Sequence, residues 1–170
     1  MSLGRSGLLL GAAVAALASC RESPMAPGVV VELHLDRISY VATRVNADPA
    51  QYAFRVIVRY ENTTGSSVYF DLCGMGVRSP IFSVPSADGR ESGYDIGWAC
   101  VGTPPLAFPP GAVRTDTLQI LGPSSFDHYT HQPYGAITGW FRLEYSTLAC
   151  DSCSESGPRV ASAPFLVRLF

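Results

Sequence analysis

Cysteines are the most reactive residues of this sequence, and two of them, Cys150 and Cys153, form a Cys-x-x-Cys pair. This spacing occurs in thiol redox centres and in zinc sites. Redox chemistry needs a helix N-terminus that lowers the thiol pKa, and no helical pattern follows Cys153. Zinc needs four ligands, and Cys73 and Cys100 are available, but the second Cys-x-x-Cys pair usual in such sites is missing. Zinc is therefore a less favoured alternative to a structural role for these cysteines.

A second candidate for chemistry is the pair His128 and His131, whose spacing would put both rings on one face of a helix, toward a metal ion. The segment lies between Pro123 and Pro133 and is rich in aromatic and polar residues, so we interpret it as a surface loop. The sequence contains no Gly-x-Ser-x-Gly nucleophile motif and no glycine-rich phosphate loop. We therefore predict no catalytic residue, no metal site and no cofactor.

The N-terminal residues indicate export. Arg5 is followed by an uncharged apolar run, Leu8 to Ala18, that ends in small residues, which is the layout of a secretory signal peptide. A membrane-spanning helix needs about 20 apolar residues, and this run is shorter. We therefore predict a cleaved signal peptide over residues 1–19.

The end of this signal, Leu17-Ala18-Ser19-Cys20, resembles the lipobox of bacterial lipoprotein precursors. The resemblance implies cleavage before Cys20, a diacylglycerol on its sulfur and usually an acyl chain on its new amino group. Several acyl chains hold a protein at a membrane far better than one. Residues 20–28 contain two prolines and a glycine, and we expect them to tether the lipid to the domain. Arg21 stands where many inner-membrane lipoproteins have Asp, so the resemblance favours the outer membrane of a two-membrane bacterium.

From Val29 onward the sequence alternates apolar and polar residues with period two, the pattern of half-buried β-strands. The clearest strand spans 52–60 and ends in a turn at 61–65, where Asn62 and Gly65 would tolerate positive φ. Further strands are expected at 29–36, which continues into a second extended stretch at 38–45, and at 67–72, 81–84, 94–101, 113–121, 139–147 and 163–170. We predict one all-β domain over residues 29–170, an immunoglobulin-like antiparallel β-sandwich of seven or eight strands, with a small β-barrel as the alternative.

Three signals follow one another in this body: the turn Asn62-Thr63-Thr64-Gly65, the step Pro109-Pro110-Gly111 and a late aromatic strand from Gly139 to Tyr145. Their order is similar to that of immunoglobulin-like domains of bacterial envelope proteins, in particular the BsuPI-type proteinase-inhibitor domains. The resemblance implies a sandwich fold and, as one function, proteinase inhibition. The candidate inhibitory loop is 102–111, because prolines order an extended segment before it binds.

Four cysteines remain once Cys20 is lipidated, an even number in an oxidising compartment, so two disulfides are expected. Three connectivities are possible. We favour Cys73–Cys100 with Cys150–Cys153, because the second pair lies in a polar loop where a tight ring is sterically possible. The longer loop would contribute about 3 kcal/mol in the chain-entropy model.

Composition limits the partners. The chain has 12 Lys and Arg residues against 14 Asp and Glu, a net charge of -2, and its arginines are scattered singly, so we predict no nucleic-acid partner. The expected partners are the membrane, through lipid on Cys20, and an envelope protein or glycan contacted by the loop aromatics Phe126, Tyr129 and Tyr134. The oligomeric state stays open.

We therefore predict a non-enzymatic binding or structural module of the cell envelope. The alternatives are a proteinase inhibitor that acts through an exposed loop, and a small metal or thiol-redox enzyme that uses Cys150, Cys153, His128 and His131.

Overall fold

A computed structural model of the chain describes residues 31–47, 50–73, 80–94, 104–126, 134–152 and 155–170. Every regular element in these ranges is a β-strand. The strands are β1 (Glu32–Leu35), β2 (Ser39–Ala47), β3 (Ala50–Glu61), β4 (Val68–Phe70), β5 (Phe82–Ser83), β6 (Leu106–Phe108), β7 (Val113–Gly122), β8 (Gly139–Phe141), β9 (Glu144–Tyr145), β10 (Thr147–Leu148), β11 (Val160–Ala161) and β12 (Phe165–Leu169). The predictions for the signal peptide, the tether, Cys20, Cys100, His128, Tyr129, His131 and Cys153 fall outside the described residues.

Six strands form one large open sheet. β3 is its longest strand and pairs along one edge with the whole of β7, from Tyr52↔Gly122 to Glu61↔Val113. Its other edge is shared, because β1 pairs with its second half and β2 with its first. β2 then pairs in parallel with β12, and β12 pairs with β8. The large sheet is the layer that presents the candidate site.

The remaining strands form the second layer of the sandwich. Two three-stranded sheets, β10–β4–β6 and β11–β9–β5, continue into each other, since only Ser146 separates β9 from β10. The Ser146 N–H donates to the Ile81 carbonyl, and its own carbonyl accepts a hydrogen bond from the Asp71 N–H. Ser146 therefore ties both sheets into one layer.

Aromatic rings dominate the core between the two layers. Tyr60 of β3 packs edge-on against Tyr145 of β9, with ring centroids 5.0 Å apart, and against Phe70 of β4 at 5.7 Å. A second cluster includes Phe54 of β3, whose ring meets that of Tyr94 in T-shaped geometry at 5.1 Å. Such edge-to-face pairs stabilise beyond the area that they bury, and here they join the two layers.

A polar chain crosses this core. The Tyr60 hydroxyl donates to the Asp116 carboxylate at 3.0 Å and lies 2.5 Å from the Tyr145 hydroxyl. Since the Tyr60 hydroxyl has one proton, the Tyr145 hydroxyl is the donor in the second bond. Arg114 in turn pairs with Asp116 at 2.8 Å. Burial, and then the neighbouring Tyr145 and Asp116, raise the pKa of Tyr60 far above its ordinary value.

A buried asparagine holds the turn after β3. The fully buried Asn62 amide donates to the carbonyls of Phe108 at 2.7 Å and Ser66 at 3.0 Å, and the Asn62 side-chain carbonyl accepts from the Thr64 N–H at 3.0 Å. Gly65 does not adopt positive φ. The turn forms where the sequence predicts it, but its stability comes from the Asn62 hydrogen bonds rather than from a left-handed backbone.

The predicted all-β sandwich is confirmed, and the β-barrel alternative is wrong because neither layer closes on itself. The described residues contain twelve strands rather than seven or eight, since the predicted strand 139–147 is divided into three and the short β6 and β11 have no alternation long enough to detect. The sandwich is also not purely antiparallel, because β2 and β12 run in parallel. Residues 95–101 of the predicted strand 94–101 lie outside the described residues.

Candidate functional site

A groove opens on the outer face of the large sheet, where β2 separates from β3. β2 pairs with β12 over Ser39 to Ala42, whereas its register with β3 ends at Thr43↔Ala53. The two strands therefore splay apart toward the β1–β2 connection. The groove between them has a volume of about 900 Å³.

The main chain of β2 faces into this groove. The Ile38 carbonyl accepts a hydrogen bond from the N–H of Leu166 in β12, and the Ala42 carbonyl accepts one from the N–H of Phe170, the residue after β12. Both polar main-chain groups of a strand residue point to the same side, and successive residues alternate. The N–H and C=O groups of Ser39 and Val41 therefore point away from β12, toward the groove.

Arg55 of β3 lies on the opposite wall. Ala53, two residues before it, pairs with Thr43 in the last register position, so the main chain of Arg55 also points toward the groove. Arg55 and Val41 do not form the next pair of this ladder. The Arg55 side chain is exposed, and it forms no hydrogen bond or ion pair with any residue that the structure describes.

Aliphatic side chains supply the apolar surface of the groove. Val41 is 54% exposed, Val45 is 53% exposed and Ile57 is 37% exposed. Thr117 and Gln119 of β7 extend the lining beyond β3. These three aliphatic side chains make part of the outer face of the sheet apolar.

Asp36 closes one end of the groove. One oxygen of its carboxylate accepts hydrogen bonds from the Ile57 N–H and the Tyr40 hydroxyl, both at 2.9 Å, and the Arg37 guanidinium lies 3.3 Å from the other. Burial, and then the hydrogen bond to Asp36, raise the pKa of Tyr40. Asp36 thus bonds the main chain of β3 near the place where β2 leaves it, and Arg37 balances its charge. No described residue balances the positive charge of Arg55 in this way.

Two of the four predicted disulfide cysteines lie in the described residues, and both Cys73 and Cys150 are disulfide-bonded. Tyr69↔Leu148 and Phe70↔Thr147 set the register of β4 with β10. From the pair Phe70↔Thr147, Cys73 is three residues further along one strand and Cys150 three residues further along the other, in the opposite direction. Extended strands would therefore put the two cysteines six positions apart, which is about 20 Å. A disulfide needs Cα atoms within about 7 Å, so these two cysteines are not bonded to each other.

Phe126 and Tyr134, two of the three predicted loop contacts, lie at the base of the same loop. The Tyr134 N–H donates to the Ser125 carbonyl at 3.1 Å, so the chain on either side of segment 127–133 is joined there. Phe126 is half-buried, whereas Tyr134 is 46% exposed. Tyr129, the third, lies outside the described residues. Phe126 and Tyr134 do not line the groove.

Sequence reasoning misses the groove, because alternation predicts only that one face of each strand is exposed. The available signal is a break in the alternation: Ile57 stands between the buried Val56 and Val58 and so places an aliphatic residue on the outer face. The proposed inhibitory loop 102–111 is also partly wrong as an exposed loop, because β6 occupies its middle and buries Phe108.

Within the described ranges, no group of three or more His, Cys, Asp or Glu side chains is placed to hold a metal ion. The same ranges contain no helix that is long and apolar enough to cross a membrane.

No protein-family model matches the sequence, and no curated protein matches it. One solved structure to which the chain has a distant similarity is the X-ray structure of Northeast Structural Genomics Consortium target SoR45. The TM-score is 0.43 at 14% sequence identity, over 82% of this chain and 85% of that chain. A likeness this distant transfers no function.

Proposed function

We propose that this chain is a lipid-anchored protein of the bacterial cell envelope whose sandwich binds a protein or glycan without catalysis. The observation that supports binding is the groove between β2 and β3, where main-chain groups, Arg55 and three aliphatic side chains share one open surface. This mixture of an apolar floor with a few polar groups is typical of recognition sites.

The anchor is supported by the N-terminal sequence. The apolar run ends in Leu17-Ala18-Ser19-Cys20, whose resemblance to a lipobox implies a lipid on Cys20, with residues 20–28 as the tether. In a two-membrane bacterium, Arg21 favours the outer membrane.

The favoured disulfide pairing also gains support. Cys153 is three residues from Cys150, so their Cα atoms are at most about 11 Å apart. Since Cys73 lies about 20 Å from Cys150 along the extended strands, a Cys73–Cys150 bond is disfavoured, and two of the three connectivities are left. Of these two we keep Cys73–Cys100 with Cys150–Cys153, because Cys150 and Cys153 can close a tight ring in a polar loop. Peptide mapping of the unreduced protein tests this pairing, and a peptide that links Cys73 to Cys153 would contradict it.

Labelling tests the anchor. The full chain is expressed in bacteria with labelled palmitate, next to Cys20→Ser and, as a matched control that keeps the lipobox, Cys73→Ser. We expect label and membrane association in the wild type and the control, and neither in Cys20→Ser. Equal labelling of all three proteins would contradict the lipid anchor.

Crosslinking tests the binding surface. A photoreactive residue replaces Val41 in the groove or, as a control, the exposed Thr63 in the turn after β3. We expect a discrete adduct with an envelope component from position 41 alone. If position 63 gives the same adducts in the same yield, the groove is not the binding surface.

The two alternatives have less support. Proteinase inhibition would have to use the part of 102–111 that flanks β6, and a thiol-redox enzyme would need a helix N-terminus to lower its thiol pKa, whereas every regular element of the described residues is a β-strand.

A further inference from the structure

The groove carries an unbalanced positive charge on an acidic protein. Its ionisable lining residues are Asp36, Arg37 and Arg55, which sum to +1, whereas the whole chain has a net charge of -2. Arg37 is paired with Asp36, so the excess charge is that of Arg55.

A second unpaired arginine stands beside the groove. Arg168 of β12 lies opposite Val41 in the parallel register, and it points outward because its neighbour Val167 is buried. Like Arg55, it forms no ion pair with the residues that the structure describes. Val41 is therefore flanked by Arg168 on one strand and by Arg55 on the other, with two strand spacings, at least about 10 Å, between the arginine backbones.

The main-chain groups of the groove select the shape of the ligand. Ser39 and Val41 on one wall and Arg55 on the other direct N–H and C=O groups toward the space between the strands. A row of such groups pairs with an extended polypeptide, which presents donors and acceptors at the same spacing. The exposed side chains of Val41 and Ile57 can contact apolar residues that alternate along the same segment.

These observations together define the occupant. We propose that the groove binds an extended acidic segment of another envelope protein, which pairs its main chain with Ser39 and Val41 and places a carboxylate against Arg55. The inference rests on the proposed function, because the lipid anchor proposed there is what places the partner in the cell envelope. A second copy of this chain fits less well, because a symmetric contact would set Arg55 and Arg168 of both copies against each other.

The test uses the purified full chain in nonionic detergent and a short fluorescent peptide of alternating glutamate and valine, read by fluorescence polarisation. The matched probe has lysine in place of glutamate. We expect saturable binding of the glutamate peptide that weakens as salt is added, and no binding of the lysine peptide.

Variants locate the site. Arg55→Gln should weaken binding about tenfold, as expected when a buried charge-assisted hydrogen bond is lost. Arg159→Gln is the matched control, because Arg159 is an exposed arginine of the second layer and its loss changes the net charge equally. Methylating alternate main-chain nitrogens along one edge of the peptide should also cost about tenfold, and methylating the other edge should cost little.

Four results would overturn the inference. The first two are equal binding of the glutamate and lysine peptides, and equal effects of Arg55→Gln and Arg159→Gln on binding. The others are binding that is unchanged by methylation of both peptide edges, and dimers of the chain that form with rising concentration and that Arg55→Gln dissociates. Palmitate labelling is measured separately, so failure of peptide binding with labelling intact rejects this inference alone. Loss of labelling with peptide binding intact would reject the anchor instead.

Discussion

Replacing Asn62 by alanine tests how the turn after β3 joins three parts of the chain. The Asn62 side chain bonds the Thr64 N–H, the Ser66 carbonyl and the Phe108 carbonyl, and thereby links the turn to the end of β6. Its own main chain adds a bond from its N–H to the Ala112 carbonyl, next to β7. Asn62→Ala removes the side-chain bonds and leaves the main-chain bond in place.

The magnitude follows from which groups lose their partners. Thr64 and Phe108 are buried, 6% and 5% exposed, so the Thr64 N–H and the Phe108 carbonyl are left without water to replace Asn62. Each unsatisfied buried group costs about 1 to 3 kcal/mol. Ser66 is exposed, and water can replace its lost bond. We therefore expect Asn62→Ala to lower the free energy of unfolding by about 3 kcal/mol.

Urea denaturation followed by tryptophan fluorescence measures the change. With a slope of about 2 kcal/mol/M, a loss of about 3 kcal/mol lowers the midpoint by about 1.5 M. Thr63→Ala, at the exposed neighbouring position, is the control and should stay within about 0.5 kcal/mol of the wild type. If Asn62→Ala and Thr63→Ala share one midpoint, the Asn62 hydrogen bonds do not stabilise the fold.

Asn62→Asp provides a second readout through pH. The introduced carboxylate would face the carbonyls of Phe108 and Ser66 in a buried site, so its pKa is raised in the folded state. A raised carboxyl pKa means that the folded state binds the proton more tightly, and stability therefore falls as pH rises above the unfolded value of about 3.9. We expect Asn62→Asp to lose stability between acidic and neutral pH relative to the wild type. Parallel pH curves for the two proteins would refute the buried hydrogen-bond geometry.

Three further predictions concern buried tyrosines and one glycine. Tyr60→Phe should lower the free energy of unfolding by about 2 kcal/mol, because it leaves the Tyr145 hydroxyl buried without an acceptor. Tyr145→Phe removes a single donor and should cost about 1 kcal/mol. The reverse order in urea denaturation would contradict the assignment of Tyr145 as the donor. Burial raises the pKa values of Tyr40, Tyr60, Tyr94 and Tyr145. The contribution of these neutral phenols to the stability of the fold is therefore complete below about pH 10 and is lost as pH rises further. Ultraviolet titration should show these phenols ionising only as the protein unfolds. Gly135→Ala should lower the melting temperature, because Gly135 has φ of 80° and an added Cβ would lie 2.6 Å from facing backbone atoms; an unchanged melting temperature would contradict this close approach.

Much of the fold can be predicted from the sequence, because burial in a sandwich repeats every two residues. The strand predicted at 52–60 buries Phe54, Val56, Val58 and Tyr60 on one face, as its alternation indicates. Alternation does not determine how strands pair, however. Nothing in the residues of β2 indicates that it bonds β12 in parallel over part of its length and β3 over the rest.

Most of the candidate site could not be predicted from the sequence, because alternation does not determine how strands pair. The groove depends on where β2 leaves β3, which is set by long-range strand pairing. Its charge depends on Arg55 facing Gln119 across the strands and on no described residue forming an ion pair with it. The loop aromatics Phe126 and Tyr134 can be identified by residue type, but that they stand at the base of one loop follows only from the hydrogen bond between Ser125 and Tyr134.

The position of β12 has a consequence for biosynthesis. β12 lies between β2 and β8, although β2 is among the first strands of the described chain to be made. During translation, the inner edge of β2 and that of β8 stay open until the ribosome has completed residues 165–169. Chains halted before that point would expose two unprotected strand edges, which are templates for aggregation.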